Sequence, residues 1–173
     1  MRKYLPYFLI FAFVSVFILI FFSRSESVKF NTVIVPNKFS ISIPEYLCKT
    51  DNIDSLALLQ YKNEKEQMFL LVYKKTDSAN TSLESFFKKH LNDFASKLEH
   101  GNLINFYLEK INGEDALIGN IRGSVGETGV YYRIAAIKAN NSFYKIIIGV
   151  SENMKSSYDE DMDKIIRGFK KIS

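Results

Sequence analysis

The sequence predicts an α+β domain, with an antiparallel sheet of about six strands packed with two main helices, preceded by one N-terminal transmembrane helix. Residues 5–22 form an uncharged apolar run, residues 82–99 carry a helical apolar period, and short β-prone runs flank that helix on both sides. These patterns predict a short tail at 1–4, a signal-anchor at 5–22, a linker with a first strand at 23–38, and the folded domain at 39–173.

The N-terminal apolar run determines where the protein is expected to be. A run of this length just crosses the roughly 30 Å hydrocarbon layer as a helix. Arg2 and Lys3 precede it, so we expect a single-pass membrane protein whose C-terminal domain is extracytoplasmic. The alternative is a signal peptide cleaved near Ser25 and a secreted protein, because Ser23 and Ser25 are small. The length of the apolar run favours a retained anchor.

The charge of the chain argues against a nucleic-acid partner. Lys and Arg number 23 against 19 Asp and Glu, but three of the basic residues lie before Glu26. The rest of the chain is therefore close to neutral, whereas a nucleic-acid-binding domain carries a clearly basic face. The single cysteine, Cys48, excludes an intrachain disulfide, and its neighbours Tyr46 and Leu47 predict that it is buried.

The first half of the domain reads as strands followed by a helix. Strands are predicted at 28–35 and 39–44, and then a hairpin at 55–61 and 67–75. The helix at 82–99 has apolar residues at helical spacing, with Thr81 and Glu84 as a capping box and Gly101 just beyond its end.

The second half reads as a four-stranded meander and a final helix. Asn112-Gly113 is a strong signal for a tight hairpin, and we expect further turns at Glu127-Thr128 and Asn140-Asn141. The last helix is expected at 157–172, with acidic residues in its first turn and lysines in its last turn. The strands of the meander are predicted at 102–111, 114–125, 130–139 and 142–151.

The segment Phe39-Ser40-Ile41-Ser42-Ile43-Pro44, followed by this element order and a short amphipathic terminal helix, resembles the PsbP and Mog-type family. The resemblance covers roughly residues 35–172 and implies an antiparallel sheet packed with helices. Members of the family serve as photosystem accessory subunits, a GTPase-binding factor and envelope proteins. The resemblance thus implies an accessory or binding role, without assigning one to particular residues.

The turns of the meander also predict which residues face each other. If each turn has two residues, Arg122 lies opposite Arg133, and the side chains on one face pack beneath a helix as the main core. The opposite face is mixed, because it carries both polar and apolar side chains. Two arginines that face each other there repel unless an anionic group lies between them. The same registers pair Asn105 with Asn120 and Ile121 with Ile134.

Two interpretations of this mixed face stay open. In the structural one, a carboxylate from elsewhere in the domain pairs with the arginines, or their stems extend to solvent. In the functional one, the face is a shallow surface that binds an anion or a partner protein. The candidate binding face consists of Arg122, Arg133, Asn105, Asn120, Tyr107, Tyr131 and Tyr144.

The histidine content and the glycine-rich segments predict no catalytic, metal or cofactor site. His90 and His100 lack the ligand spacing of a zinc site. Gly123 to Gly129 lacks the Gly-Lys-Ser/Thr ending of a phosphate loop. We therefore expect a membrane-anchored extracytoplasmic binding or assembly-accessory module with an envelope protein as its partner. The alternatives are an envelope hydrolase and a soluble small-ligand carrier released by signal cleavage.

Overall fold

The computed structural model describes residues 28–65, 67–76 and 81–172 and has the predicted α+β architecture. Its helices are α1 (Leu83–Ala95) and α2 (Lys155–Arg167), and a 3₁₀ turn, Glu152–Met154, precedes α2. The strands are β1 (Phe30–Val35), β2 (Phe39–Pro44), β3 (Cys48–Lys49), β4 (Leu59–Asn63), β5 (Met68–Thr76), β6 (Glu99–Ile111), β7 (Glu114–Val125), β8 (Thr128–Ala139), β9 (Ser142–Ser151) and β10 (Lys170–Lys171).

The strands form two antiparallel sheets, whereas one sheet of about six strands was predicted. Seven strands are ordered β3-β4-β5-β9-β8-β7-β6, and three are ordered β1-β2-β10. The prediction missed β3 and β10 because strands of two residues carry no periodic signal. In the hairpin between β6 and β7, Asn112 and Gly113 both take positive φ, as a type I′ turn requires.

Helix α1 covers one face of the large sheet. Phe86, Phe87 and Leu91 pack on an apolar patch that includes Ile121 and Ile147. The helix is capped by Ser82 and not by the predicted Thr81, and it ends at Ala95, before the predicted residue 99. The predicted end was too late because residues 96–98 form a turn that leads directly into β6.

The opposite face of the large sheet is also a core. Helix α2 and the small sheet cover it, and Phe39, Ile41, Ile165 and Phe169 are fully buried there. Helix α2 ends at Arg167, earlier than the predicted 172, because Phe169 turns into this core and the chain continues as β10.

On the α1 face large residues lie opposite small ones, in the pairs Phe106–Gly119 and Tyr132–Gly149. A Cβ atom at Gly149 would lie 2.6 Å from the rings of both Phe69 and Tyr132. Gly149 is therefore fixed by packing and not by its backbone conformation.

Two expectations concern the boundary with the membrane and the cysteine. Within the described ranges no helix has the length and apolarity to cross a bilayer, and the anchor predicted at 5–22 lies outside those ranges. Cys48 is exposed on β3, so the expectation that it is buried was wrong. The prediction failed because β3 is a two-residue edge strand of the large sheet.

Candidate functional site

The register between β7 and β8 differs from the prediction. The turn consists of Gly126 and Glu127, with Val125 opposite Thr128, and Gly126 takes a φ of +58°. Arg122 therefore does not face Arg133. The observed pairs are Asn120–Arg133, Arg122–Tyr131 and Ile121–Tyr132, while the predicted pair Asn105–Asn120 is confirmed.

The observed register of β7 with β8 differs from the predicted one by a slip of two residues. Such a slip leaves every side chain of these two strands on the predicted face. Residues directly opposite each other in an antiparallel pair point to the same side of the sheet. Asn120, Arg122, Tyr131 and Arg133 thus still share one face, but this face is the one that α2 and the small sheet cover.

Arg133 lies at the centre of a polar network beneath α2 and is only 6% exposed. Its Nη2 donates to Asp159 Oδ1 at 2.9 Å and its Nη1 to Asp163 Oδ1 at 2.7 Å, while Nη1 also donates to the backbone oxygen of Asp159 at 3.0 Å. Burial opposes the charge of Arg133, but Tyr131 and the two aspartates outweigh it and raise the pKa of the guanidinium. Arg133 is therefore a cation that fixes α2 to the sheet, as the structural interpretation anticipated.

The network continues along the sheet through neutral groups. Arg133 Nε and the Tyr131 hydroxyl both donate to Asn120 Oδ1, at 3.0 and 2.6 Å. Asn120 Nδ2 donates in turn to Asn105 Oδ1 at 2.7 Å. Asn120, Tyr131 and Arg133 are buried and each has a partner within the domain, whereas Asn105 is exposed at the end of the network.

The remaining candidates lie apart from one another. Arg122 is exposed and pairs with Glu152 at 2.8 Å. Tyr144 is buried against Phe39 and Phe169. Tyr107 is partly exposed, on β6. The predicted surface thus divides into a buried network, a peripheral ion pair and one residue of an exposed strand.

That exposed strand is the most distinctive surface of the domain. β6 has 13 residues and, among the described residues, pairs only with β7, so its other edge is unpaired. Phe106, Tyr107 and Leu108 are consecutive and are 41%, 38% and 68% exposed. A long, unprotected apolar edge is unusual in natural sheets and offers free backbone hydrogen-bonding groups to another strand.

A groove of about 480 Å³ runs beside β6 on the α1 side. Leu83, Phe106, Leu108 and Leu117 line its apolar part. The Lys88 ammonium lies 5.7 Å from the centre of the Phe106 ring and also pairs with Glu84. The groove can therefore hold an apolar side chain of a strand that is added to the edge.

A second pocket, of about 490 Å³, lies at the end of the domain where β5 ends and β9 begins. Its lining includes Lys74, Lys171, Asn37, Asn140 and Ser142. Ammonium, amide and hydroxyl donors of this kind suit a small anion.

Burial shifts the pKa of several ionisable groups on the α1 side of the large sheet. Burial, together with Lys145 and Lys75, lowers the pKa of His90. Burial lowers the pKa of Lys145, and burial with a hydrogen bond to Asp54 raises the pKa of Tyr73. Within the described part of the chain, no three His, Cys, Asp or Glu side chains are grouped so that they could hold a metal ion.

Solved structures show the same arrangement of elements. Cyanobacterial PsbP (CyanoP) from Synechocystis aligns with a TM-score of 0.64 at 13% identity, over 86% of this chain and 96% of that one. This chain has the PsbP/Mog1p fold. The Ran-binding protein Mog1p from Saccharomyces cerevisiae aligns with a TM-score of 0.61 at 11% identity, over 83% of this chain and 96% of Mog1p.

A third solved structure with this arrangement is that of a mycobacterial protein. LpqN from Mycobacterium tuberculosis, which is involved in cell envelope biogenesis, aligns with a TM-score of 0.57 at 8% identity, over 87% of this chain and 94% of LpqN. No family model and no curated protein matches the sequence. Identities this low show a shared fold and do not transfer a function.

The sequence reasoning missed the exposed edge of β6. A half-buried strand alternates apolar and polar residues, whereas Phe106-Tyr107-Leu108 has apolar residues on both faces, which is one signal of an unusual strand. That signal becomes informative only when the strand order places β6 at the end of the sheet.

Proposed function

We propose that this chain is a membrane-tethered, extracytoplasmic accessory module that assembles with another protein chain through the edge of β6. The exposed apolar edge at Phe106, Tyr107 and Leu108 carries this proposal. An added strand would bond to the free backbone groups of β6 and place one side chain in the adjoining groove.

Two further observations support the proposal. The apolar run at 5–22 is long enough to tether the domain to a membrane. Proteins of the same fold include a Ran-binding protein and one involved in cell envelope biogenesis, so the fold is compatible with accessory binding tasks.

Site-specific photo-crosslinking of the full chain in its own membrane tests the docking surface. A photoreactive residue at Leu108 should crosslink to a protein chain, whereas the same residue at Leu56 should not. Leu56 is the matched control because it is 81% exposed but lies in the loop between β3 and β4. Equal crosslinking at the two positions, or none at Leu108, would contradict the proposed docking surface.

The lone cysteine tests the predicted orientation. Cys48 is the only cysteine of the chain and is exposed. A membrane-impermeant maleimide should label it in cells whose cytoplasmic membrane is intact, and Cys48→Ser should abolish the labelling. Labelling that needs lysis of that membrane would place the domain on the cytoplasmic side and refute the proposal.

The basic pocket favours a second candidate function, a soluble carrier of a small anion released by cleavage near Ser25. Lys74 and Lys171 supply the positive charge of this pocket. This candidate predicts that the mature protein begins near residue 26 and that inorganic phosphate binds it more weakly after Lys74→Gln. An intact N-terminus in the mature protein, found by sequencing, would exclude the carrier and leave the tethered module.

A further inference from the structure

We infer that the chain that docks on β6 is a second copy of this chain, with the two β6 strands antiparallel about a two-fold axis at Tyr107. The inference rests on the proposed function, because it names the occupant of the same edge.

Only part of β6 is regular enough to pair with another strand. Its register with β7 shifts between Glu99 and Asn102 and again between Leu103 and Asn105. From Asn105 to Ile111 the pairing with β7 continues without a shift. Bulges bend a strand and end regular pairing, so an added strand must lie along Asn105–Ile111.

The residue pattern of this regular stretch is self-complementary. With a two-fold axis at Tyr107, Phe106 of each copy lies opposite Leu108 of the second copy, and Tyr107 lies opposite Tyr107 of the second copy. Asn105 then lies opposite Glu109, so like charges do not face each other. Aromatic and aliphatic pairs of this kind stabilise antiparallel neighbours.

The neighbouring symmetric registers fit less well. An axis at Leu108 would place Phe106 opposite Lys110, an apolar ring against an ammonium group. An axis at Phe106 would bring Ile104, which lies at a register shift, opposite Leu108. The Tyr107 register alone places three consecutive apolar residues opposite apolar residues within the regular stretch.

The grooves beside the two strands also fit this register. Phe106 and Leu108 lie on the α1 side, where they line the groove with Leu83 and Leu117. In the pair, Leu108 of the second copy comes against Phe106, so each copy covers apolar groove surface that is exposed in the single chain.

The membrane tether makes such a short interface sufficient. A stable complex in solution commonly buries about 800 Å² per partner, and one short strand pair buries less. Two chains anchored in one membrane meet at a raised effective concentration, so an edge that pairs weakly in solution can be occupied there.

Cysteine crosslinking of the full chain in its membrane tests the register. In a Cys48→Ser background, Tyr107→Cys places two thiols on the axis, with Cβ atoms about 5 Å apart. A short bismaleimide should join them into a dimer. Lys110→Cys is the matched control, because its two copies would lie roughly 20 Å apart along the strands and should not be joined.

Co-purification of two differently tagged full-length copies from one membrane tests the contact itself. Leu108→Lys in both copies should reduce the recovery of the second tag about tenfold, whereas Leu56→Lys should leave it unchanged. A Tyr107→Cys variant that the bismaleimide does not crosslink would overturn the dimer. Recovery of the second tag that Leu108→Lys leaves unchanged would overturn it as well.

The dimer and the proposed function fail in distinguishable ways. If a photoreactive residue at Leu108 captures a different protein and no second copy, the dimer is wrong and the accessory module stands. If Leu108 captures no protein of either kind, the docking surface itself is wrong, and the dimer falls with it.

Discussion

Replacing Arg133 with methionine removes the centre of the network beneath α2 while it keeps most of the buried stem. The change removes the partner of Asp163 and leaves Asp159 with its longer pair to Lys155, at 3.4 Å. The side chains of Asp159 and Asp163 are 45% and 39% exposed and can recover hydration. Asn120 Oδ1 keeps the hydrogen bond from the Tyr131 hydroxyl. The cost is therefore that of a partly buried network and not that of isolated buried charges.

The magnitude follows from the bonds that are lost. Each ion pair to a half-exposed aspartate contributes about 1 kcal/mol or less. The bonds from Arg133 to Asn120 Oδ1 and to the backbone oxygen of Asp159 contribute about 0.5–1.5 kcal/mol each. We expect Arg133→Met to lower the free energy of unfolding by about 2–4 kcal/mol, and Tm by roughly 8–15 °C for a domain of this size.

Arg122→Met is the matched control. Arg122 also lies next to β8 and pairs with a carboxylate, but its side chain is 51% exposed. An exposed pair contributes about 0–1 kcal/mol, so this variant should lose about 4 °C or less. Thermal unfolding followed by the near-ultraviolet circular dichroism of the tyrosines measures both. Equal losses of Tm in the two variants would refute the assignment of Arg133 as the residue that fixes α2.

Three further predictions concern stability and are checked by the same unfolding measurement. Gly149→Ala should cost about 1–3 kcal/mol, because the new methyl group overlaps Phe69 and Tyr132, and adding Phe69→Leu should recover part of the loss. Ser82→Ala should cost about 1 kcal/mol through loss of the α1 cap, and Ser82→Asp should not. The pKa of His90 is lowered in the folded domain, so the unfolded chain binds more protons below about pH 6.5. Stability should therefore fall as the pH drops from 7 towards 5, and a His90→Gln variant whose stability falls equally would contradict this.

Local sequence patterns predicted the helices, strands and turns better than they predicted the register in which the strands pair. The Asn112-Gly113 turn and the Asn105–Asn120 pair follow from turn chemistry and from the period of two in a strand. The register of β7 with β8 did not follow, because Gly126 and Gly129 permit two placements of the turn. A slip of two residues keeps every side chain on its face, so hydrophobic alternation does not distinguish the two placements.

The candidate binding face shows the same limit of local sequence patterns. The sequence grouped Arg133, Asn120 and Tyr131 on one face, and the structure does bring them together. The strand pattern of the sequence does not show that Asp159 and Asp163, far along the chain, lie over that face. The buried members of the candidate face therefore lie beneath α2, an arrangement that the strand pattern does not predict.

The sequence was sufficient to predict the α+β class, both helices, the turns at Asn112-Gly113 and Asn140-Asn141, and an apolar N-terminal run long enough to cross a membrane. These features depend on residue preferences and periods over a few neighbouring positions. Two features emerged from the folded chain alone: the mixed face is a second core, and β6 is an open edge. Both depend on which distant segment covers which surface, and a local period fixes the side on which a residue lies without fixing what lies against it.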